Sequence, residues 1–204
     1  MPPVIKCVFI GDGAVGKTCL LMKKATGAFP RSYVPTVFDN YTMPVEVKKT
    51  KYQFSLVDTA GQEEYEALRR QNYHDASVFV LCFAVDLRSS FSNVATKWVE
   101  DIRAVCATTP ILLVGCKSDV RANSGLNSIT YREGKNLAKE VGAVQYVECS
   151  ALTNAGLDDV FAKAALIGAG FVNKKRTLYH EYRSAIFHYI FSFFKPVIKC
   201  MILG

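Results

Sequence analysis

Short apolar runs alternate with helix-like stretches along most of this 204-residue chain. The runs are rich in Val, Ile, Phe and Leu at consecutive positions, which is typical of strands buried on both faces of a parallel sheet. The apolar runs are residues 4–10, 54–57, 77–85, 111–115 and 145–149, and the helix-like stretches are 17–26, 64–72, 91–106, 131–141 and 157–168. This alternation predicts an α/β fold with helices on both faces of the sheet.

Residues 41–47 alternate more openly between apolar and polar side chains, and a lysine-rich segment then leads into the strand at 54–57. This pattern favours an antiparallel hairpin at one edge of the sheet. In an open α/β sheet, ligands bind beyond the carboxyl ends of the strands. The residues that directly follow each apolar run are therefore the candidates for a functional site.

Residues 11–18 read GDGAVGKT and lie between the first strand and the first helix. They fit the phosphate-loop pattern GxxxxGK[ST], in which backbone N–H groups and a helix N-terminus hold phosphate. Lys17 is predicted to reach the β- and γ-phosphates, and Thr18 to bind Mg²⁺. The candidate nucleotide-binding residues here are Gly13, Ala14, Val15, Gly16, Lys17 and Thr18, with Cys19 beside them. The alternative is a glycine-rich turn that binds nothing.

The residues after the run at 111–115 read Cys-Lys-Ser-Asp. The Asp119 carboxylate can accept two hydrogen bonds from N1 and N2 of guanine, a donor pair that adenine lacks. The stem of Lys117 can lie over the plane of the base. Alone, this spacing also fits a solvated turn, but behind a phosphate loop it predicts GTP or GDP as the ligand. Asp119 therefore argues against two other classes of protein, a P-loop ATPase and a nucleotide kinase.

Residues 58–62, which read DTAGQ, follow the strand at 54–57. We expect Asp58 to hold Mg²⁺ through water, the Gly61 N–H to bond the γ-phosphate, and Gln62 to orient the attacking water. An Asp that caps the next helix is a compatible alternative.

Together these motifs resemble the Ras-like small GTPases. The matching residues are 11–18, Thr36, 58–62, 117–119 and 149–151, and the stretches YVPTVFDNY (33–41) and DTAGQEEY (58–65) resemble the Rho family. The resemblance covers about residues 3–172. It implies a P-loop G-domain with a six-stranded, mostly parallel sheet, and two mobile loops: switch I around Thr36 and switch II around Gln62.

The resemblance also assigns roles by matching position. Phe29 is expected to pack against guanine, Tyr33 to close over the phosphates, and the Ala151 N–H to contact guanine O6, with Ser150 in the same motif. The implied catalytic residues are Lys17, Thr36 and Gln62, and the implied Mg²⁺ ligands are Thr18, Thr36 and, through water, Asp58.

The function implied is a molecular switch that hydrolyses GTP and signals to the actin cytoskeleton at membranes. Its expected partners are an exchange factor, an activating protein that supplies an arginine, a dissociation inhibitor, and effectors that bind switch I and switch II. We expect a monomer that binds no nucleic acid. The alternative is a non-hydrolysing, GTP-bound scaffold, which Gly13, Ala60 and Gln62 oppose because variants locked with GTP typically alter these positions.

Two features depart from the Rho pattern. The segment at 121–130, which follows the guanine-specificity motif, is short and mostly uncharged. The charged helical insert that the Rho family has there is therefore expected to be missing. Cys116 stands where the family has Thr or Asn bonded toward the phosphate loop, and a thiol is a weaker hydrogen-bonding group. We therefore expect faster nucleotide release, the alternative being a tolerated core substitution. Cys19 is a candidate redox site, or else buried and inert.

Charge divides the chain after residue 172. Residues 173–204 carry a net charge of +5 and residues 1–172 only +2, out of +7 in all. We therefore predict a G-domain at 1–172 and a basic, aromatic tail at 173–204. The cluster at 174–176 favours anionic lipid. Leu178, Tyr182, Ile186, Tyr189 and Phe193 form one stripe of a helix that is too short to span a bilayer and fits an in-plane membrane segment.

Cys200 would belong to a prenylation motif if Gly204 did not follow it. Three explanations of the trailing Gly204 stay open: the residue is trimmed, the tail is an artefact of gene prediction, or the aromatic helix provides the anchor. A tail folded back on the core is a further alternative. Seven dispersed cysteines and the lack of a secretory signal predict cytoplasmic synthesis. We expect association with the inner face of the plasma membrane or with other membranes.

Overall fold

The computed structural model describes residues 1–30, 38–122 and 128–172. Six strands form one sheet in the order β2-β3-β1-β4-β5-β6. The strands are β1 (Val4–Ile10), β2 (Phe38–Val47), β3 (Thr50–Thr59), β4 (Val78–Ala84), β5 (Ile111–Cys116) and β6 (Gln145–Glu148). All neighbouring pairs are parallel except β2 and β3, which are antiparallel. The predicted sheet with one antiparallel edge strand is confirmed.

Five helices accompany the sheet in the described part of the chain. They are α1 (Lys17–Thr26), α2 (Glu66–Gln71), α3, α4 (Tyr131–Glu140) and α5 (Leu157–Gly168). We use α3 for three consecutive segments, Arg88–Asn93, the π-helical stretch Val94–Trp98, and Val99–Val105. Short 3₁₀ turns, Glu63–Tyr65 and Ser118–Ala122, precede α2 and follow β5. None of these helices is long and apolar enough to cross a bilayer.

The core has two parts, one on each face of the sheet. Alternate residues of β1 point to opposite faces: Phe9 belongs to the cluster that includes α1 and α5, and Val8 to the cluster that includes α3 and α4. Strand β4 is buried at every position. A strand covered on both faces has no polar side to alternate with, which explains its continuous apolar sequence.

Three elements differ in extent by three residues or more from the sequence prediction. Strand β2 begins at Phe38 instead of residue 41. The strand predicted at 54–57 extends over Thr50–Thr59, because its backbone pairs with β2 along ten positions from Phe38↔Thr59 to Val47↔Thr50. The helix predicted at 91–106 begins at Arg88 and contains the π-helical stretch. The added residues of β3 and α3 are mostly polar, so the search for apolar runs did not include them. Backbone hydrogen bonds need no apolar side chain.

Thr130 caps α4 as the sequence suggests. The Glu133 N–H donates to the Thr130 hydroxyl, and the Glu133 carboxylate accepts from the Thr130 N–H at 2.8 Å. This N–H and the Thr130 hydroxyl lower the pKa of Glu133 to about 2. The capping box fixes the start of α4 directly after residues 121–130, the segment that is expected to lack the helical insert. Residues 123–127 of this segment lie outside the described part.

Candidate functional site

The phosphate loop connects β1 to α1 along a strained path. Gly11 has φ 141°, Ala14 has φ 61°, and Gly16, at the N-cap of α1, has φ 110°. A Cβ at Gly11 would lie 2.1 Å from the Cys82 carbonyl oxygen of β4, so only glycine fits there. Backbone in successive left- and right-handed conformations makes a concave row of N–H groups suited to an anion.

Lys17 occupies the centre of this loop. It is only 6% exposed, and its Nζ donates to the carbonyl oxygens of Gly11 and Asp12, both at 2.8 Å. Burial lowers the pKa of the ammonium group, and the negative charge of Asp58 counteracts that effect. The loop thus holds a buried cation where a phosphate would be bound.

The end of β3 lies against the same loop. Asp58 is fully buried at this end, and β3 pairs with β1 through Phe9↔Asp58. A Cβ at Gly61 would lie 2.4 Å from the Gly13 nitrogen and 2.5 Å from the Gly11 oxygen. Gly61 is therefore pressed against the phosphate loop at a distance that no side chain permits.

Gln62 lies at the N-cap of the 3₁₀ turn Glu63–Tyr65, with its side chain half-buried. The Arg69 guanidinium donates to the carbonyl oxygens of Ala60 and Gln62, at 3.0 and 3.2 Å. Arg69 was not among the predicted site residues, since a single arginine in a helix gives no sign of a tertiary contact. It holds the backbone from which Gln62 projects.

A cavity of about 220 Å³ lies beside the loop, between α1 and the ends of β5 and β6. Six of the predicted nucleotide-binding residues line it, namely Gly16, Cys19, Phe29, Lys117, Asp119 and Ala151. Five further lining residues were not named as nucleotide-binding: Leu20, Cys116, Val120, Cys149 and Leu152. Cys116 and Cys149 adjoin or belong to matched motifs, whereas the other three are apolar residues outside them and the sequence gives no sign of their place in the cavity.

Ser150 lies behind this cavity, not in its lining. The residue is fully buried, and its hydroxyl accepts a bond from the Thr153 N–H at 3.0 Å. Its own N–H donates to the Ala155 carbonyl oxygen. These bonds hold the loop that carries Ala151, so Ser150 shapes the site from outside it.

The thiols near the loop differ in surroundings. Cys116 is buried within hydrogen-bonding reach of the Cys82 and Cys149 thiols, and a Cβ at Gly16 would lie 3.6 Å from its Cβ. Cys19 is partly exposed in the cavity, and burial raises the pKa of its thiol. A raised pKa keeps Cys19 protonated at neutral pH, which lowers its reactivity.

Some of the predicted site residues fall outside the described part of the chain. These are Tyr33 and Thr36 of switch I, together with the tail at 173–204 and its Cys200. Their roles stay predictions.

Two comparisons place the chain among known proteins. A sequence model of the Ras family matches residues 6–168. The GTP-binding protein Rho1 of Kluyveromyces lactis is 43% identical over 184 residues, covering 84% of this chain and 88% of that protein.

Proposed function

The chain belongs to the Ras family as a Rho-type small GTPase, and from that premise we propose how its residues bind and hydrolyse GTP. A GTPase of this type is a molecular switch: it hydrolyses GTP to GDP and phosphate and signals to the actin cytoskeleton in its GTP-bound state.

One observation carries the assignment of residues. Gly16 belongs to the phosphate loop and also lines the cavity that contains Asp119 and Lys117. A phosphate site and a cavity of the size of a base are therefore contiguous, as one nucleotide requires. The bond pattern of guanine matches the Asp119 carboxylate, and Phe29 and the stem of Lys117 supply apolar surface for the two faces of the base.

Lys17 and the loop N–H groups would balance the charge of the β- and γ-phosphates. The Gly61 N–H is proposed to bond the γ-phosphate, since Gly61 lies against Gly13. Gln62 is proposed to orient the attacking water from a backbone that Arg69 holds in place. Loss of the γ-phosphate removes the bond to Gly61, which would release this segment and so signal the GDP state.

The donor set also fits Mg²⁺. The Thr18 hydroxyl and the Asp58 carboxylate are hard oxygen ligands of the kind that Mg²⁺ prefers, and Asp58 is buried close enough to influence the Lys17 ammonium. Thr18 and Asp58 would hold the ion, with Thr36 as a further ligand by resemblance. When bound, the ion neutralises charge on the phosphates during transfer.

The chain is proposed to have its G-domain at 1–172 and a separate tail at 173–204 that binds anionic membrane. We place it in the cytoplasm and at membranes, as a monomer regulated by an exchange factor, an activating protein and a dissociation inhibitor. Slow hydrolysis by the chain alone follows if the arginine that completes the site comes from the activating protein.

The assignment of Asp119 can be tested by changing the base that the cavity accepts. In Asp119→Asn, the side-chain amide donates where the carboxylate accepted, so the N2 amino group of guanine meets another donor. Xanthine carries an oxygen at that position and matches the amide. We expect affinity for GTP to fall by about a hundredfold or more and affinity for xanthosine triphosphate to rise above it.

Asp158→Asn is the matched control, because Asp158 is an exposed partner of Lys24 outside the cavity. It should leave the preference for GTP unchanged, as measured by competition against a fluorescent GDP analogue. Retention of GTP over xanthosine triphosphate by Asp119→Asn would contradict the assignment. Single-turnover assays then measure hydrolysis: no phosphate release with or without an activating protein would favour the GTP-bound scaffold.

A further inference from the structure

The Asp12 side chain is held from outside the phosphate loop by α3. Trp98 donates from its indole Nε1 to one carboxylate oxygen of Asp12 at 2.7 Å. Asn93 donates from Nδ2 to the other oxygen at 2.8 Å. The backbone carbonyl of Asp12 meanwhile accepts from Lys17. Asp12 is thus fixed on both sides, at the position directly before Gly13 in the loop.

The π-helical stretch in α3 makes this double contact possible. Asn93 and Trp98 are five residues apart, and within the stretch the Val99 N–H donates to Val94, also five residues earlier. In a regular α-helix, residues five apart point about 140° away from each other. The wider turn of a π-helix brings them to the same side, and such turns are frequent at functional sites.

Trp98 also connects α3 to the segment that carries Gln62. Two cations approach its fully buried ring, with Lys97 Nζ 4.6 Å and Arg69 Cζ 4.8 Å from the ring centroid. Arg69 donates to the carbonyl oxygens of Ala60 and Gln62. Lys97 forms an ion pair with Glu63. The same indole therefore contacts the phosphate loop through its N–H, and its ring contacts the two cations that bond to the segment around Gln62.

We propose that Asn93 and Trp98 are positioning residues for the nucleotide site, which hold the phosphate loop through Asp12 and link it to switch II. The inference rests on the proposed binding of GDP and GTP at residues 11–18. A loop whose N–H groups must meet phosphate oxygens loses affinity when its path shifts by a fraction of an ångström. With either donor removed, the Asp12 carboxylate is free to turn toward water, and the loop relaxes with it.

The test measures the rate of GDP release from the full chain in Mg²⁺ buffer, with a fluorescent GDP analogue. Trp98→Phe removes the indole N–H and keeps an aromatic ring beside Arg69 and Lys97. Asn93→Ala removes the other donor at a half-buried position. Each is expected to speed GDP release by about tenfold, because each removes a hydrogen bond to a charged group.

Tyr73→Phe is the matched control. The Tyr73 hydroxyl donates at 2.6 Å to Asp101 of α3. Asp101 also pairs with Arg70 and Arg69, so its carboxylate stays held when the Tyr73 hydroxyl is removed. This variant also removes a buried donor to a carboxylate, so it should lower the melting temperature while leaving the rate of GDP release within about twofold of the parent. A role in stability alone would make the three variants behave alike.

A double-mutant cycle tests whether Asn93 acts on GDP release through Asp12. In an Asp12→Ala background, Asn93→Ala should have no further effect on GDP release, because its partner is already absent. The inference is overturned if Asn93→Ala and Trp98→Phe release GDP at the parent rate, or if the effect of Asn93→Ala persists without Asp12. A parent chain that binds no GDP would overturn the proposed function itself, which is a distinct result.

Discussion

We predict that Cys116 shortens the lifetime of the bound nucleotide. It ends β5 with its thiol near those of Cys82 and Cys149, and a Cβ at Gly16 would lie 3.6 Å from its Cβ. A thiol forms weak hydrogen bonds, whereas the Thr or Asn of the Rho pattern bonds toward the loop. Cys116 lies beside Gly16 of the loop, so the weaker group is expected to hold the loop less firmly.

Replacing Cys116 with Thr supplies a hydroxyl beside Gly16 of the phosphate loop. We expect Cys116→Thr to slow GDP dissociation by about three- to tenfold, the effect of one additional hydrogen bond of roughly 1 kcal/mol. Release of a fluorescent GDP analogue measures it. Cys116→Val is the control, since valine has the shape of threonine without the hydroxyl. Equal release rates for the Thr and Val variants would show that shape alone matters.

At the scale of elements, the sequence was sufficient wherever burial alone decides the structure. Strands β1, β4, β5 and β6 and helices α1 and α5 were predicted with bounds within one residue of the structure at each end. A strand covered on both faces must be apolar throughout, so its sequence marks its ends. The positions of Lys17 in the phosphate loop after β1 and of Asp119 after β5 were predictable in the same way, while their roles stay predictions. Positions shaped by contacts between distant segments were not predictable.

The π-helical stretch of α3 is the clearest of these positions. Its apolar residues Val94, Trp98 and Ile102 recur at a spacing of four, which fits an ordinary helix. The wider turn places Trp98 and Asn93 on Asp12, more than 80 residues earlier in the chain. A pattern within the helix carries no information on that partner, so the tertiary contact overrides the local preference.

The turn of the β2–β3 hairpin offers a prediction about stability. Lys48 and Lys49 both have positive φ, at 47° and 68°, in a two-residue turn that favours Asn-Gly. The strain at Lys48 is offset by a cation–π contact, because its Nζ lies 4.5 Å from the centroid of the Phe171 ring. Lys49→Gly should relieve the strain at the second position and raise the free energy of unfolding by about 1 kcal/mol.

Lys51→Gly provides the contrast, since Lys51 lies in β3 opposite Glu46. Glycine inside a strand loses conformational entropy, so this change should lower the free energy of unfolding by about 0.5–1 kcal/mol. Denaturant unfolding at a fixed GDP concentration compares the two variants. A Lys49→Gly protein as unstable as Lys51→Gly would show that the turn is not strained.

At the scale of the whole molecule, the uneven division of charge separates two tasks. Residues 1–172 are nearly neutral, at +2, and rely on placed N–H groups and Lys17 to hold phosphate. The remaining positive charge lies at 173–204, outside the described residues. Such a cluster has no use in a buried nucleotide site and is suited to an anionic surface.

The membrane role of this cluster is testable on the full chain. Changing Lys174, Lys175 and Arg176 to Gln should weaken binding to vesicles containing phosphatidylserine by about a hundredfold, at roughly 1 kcal/mol per cation. Sedimentation with the vesicles measures it, and vesicles of phosphatidylcholine alone give the salt-independent background. The control changes Arg132, Lys135 and Lys139, cations of α4, to Gln. Equal loss in both triple variants would argue against a specific role of the tail.

Trp98 has a practical consequence for work on the intact protein. It is the single tryptophan of the chain, and its indole contacts a carboxylate and two cations, groups whose fields shift the emission of an excited indole. Selectively excited tryptophan fluorescence therefore comes from one residue at the junction of phosphate loop and switch II. The unlabelled molecule contains its own optical reporter, and the state of its nucleotide site can be followed in real time without a modified nucleotide.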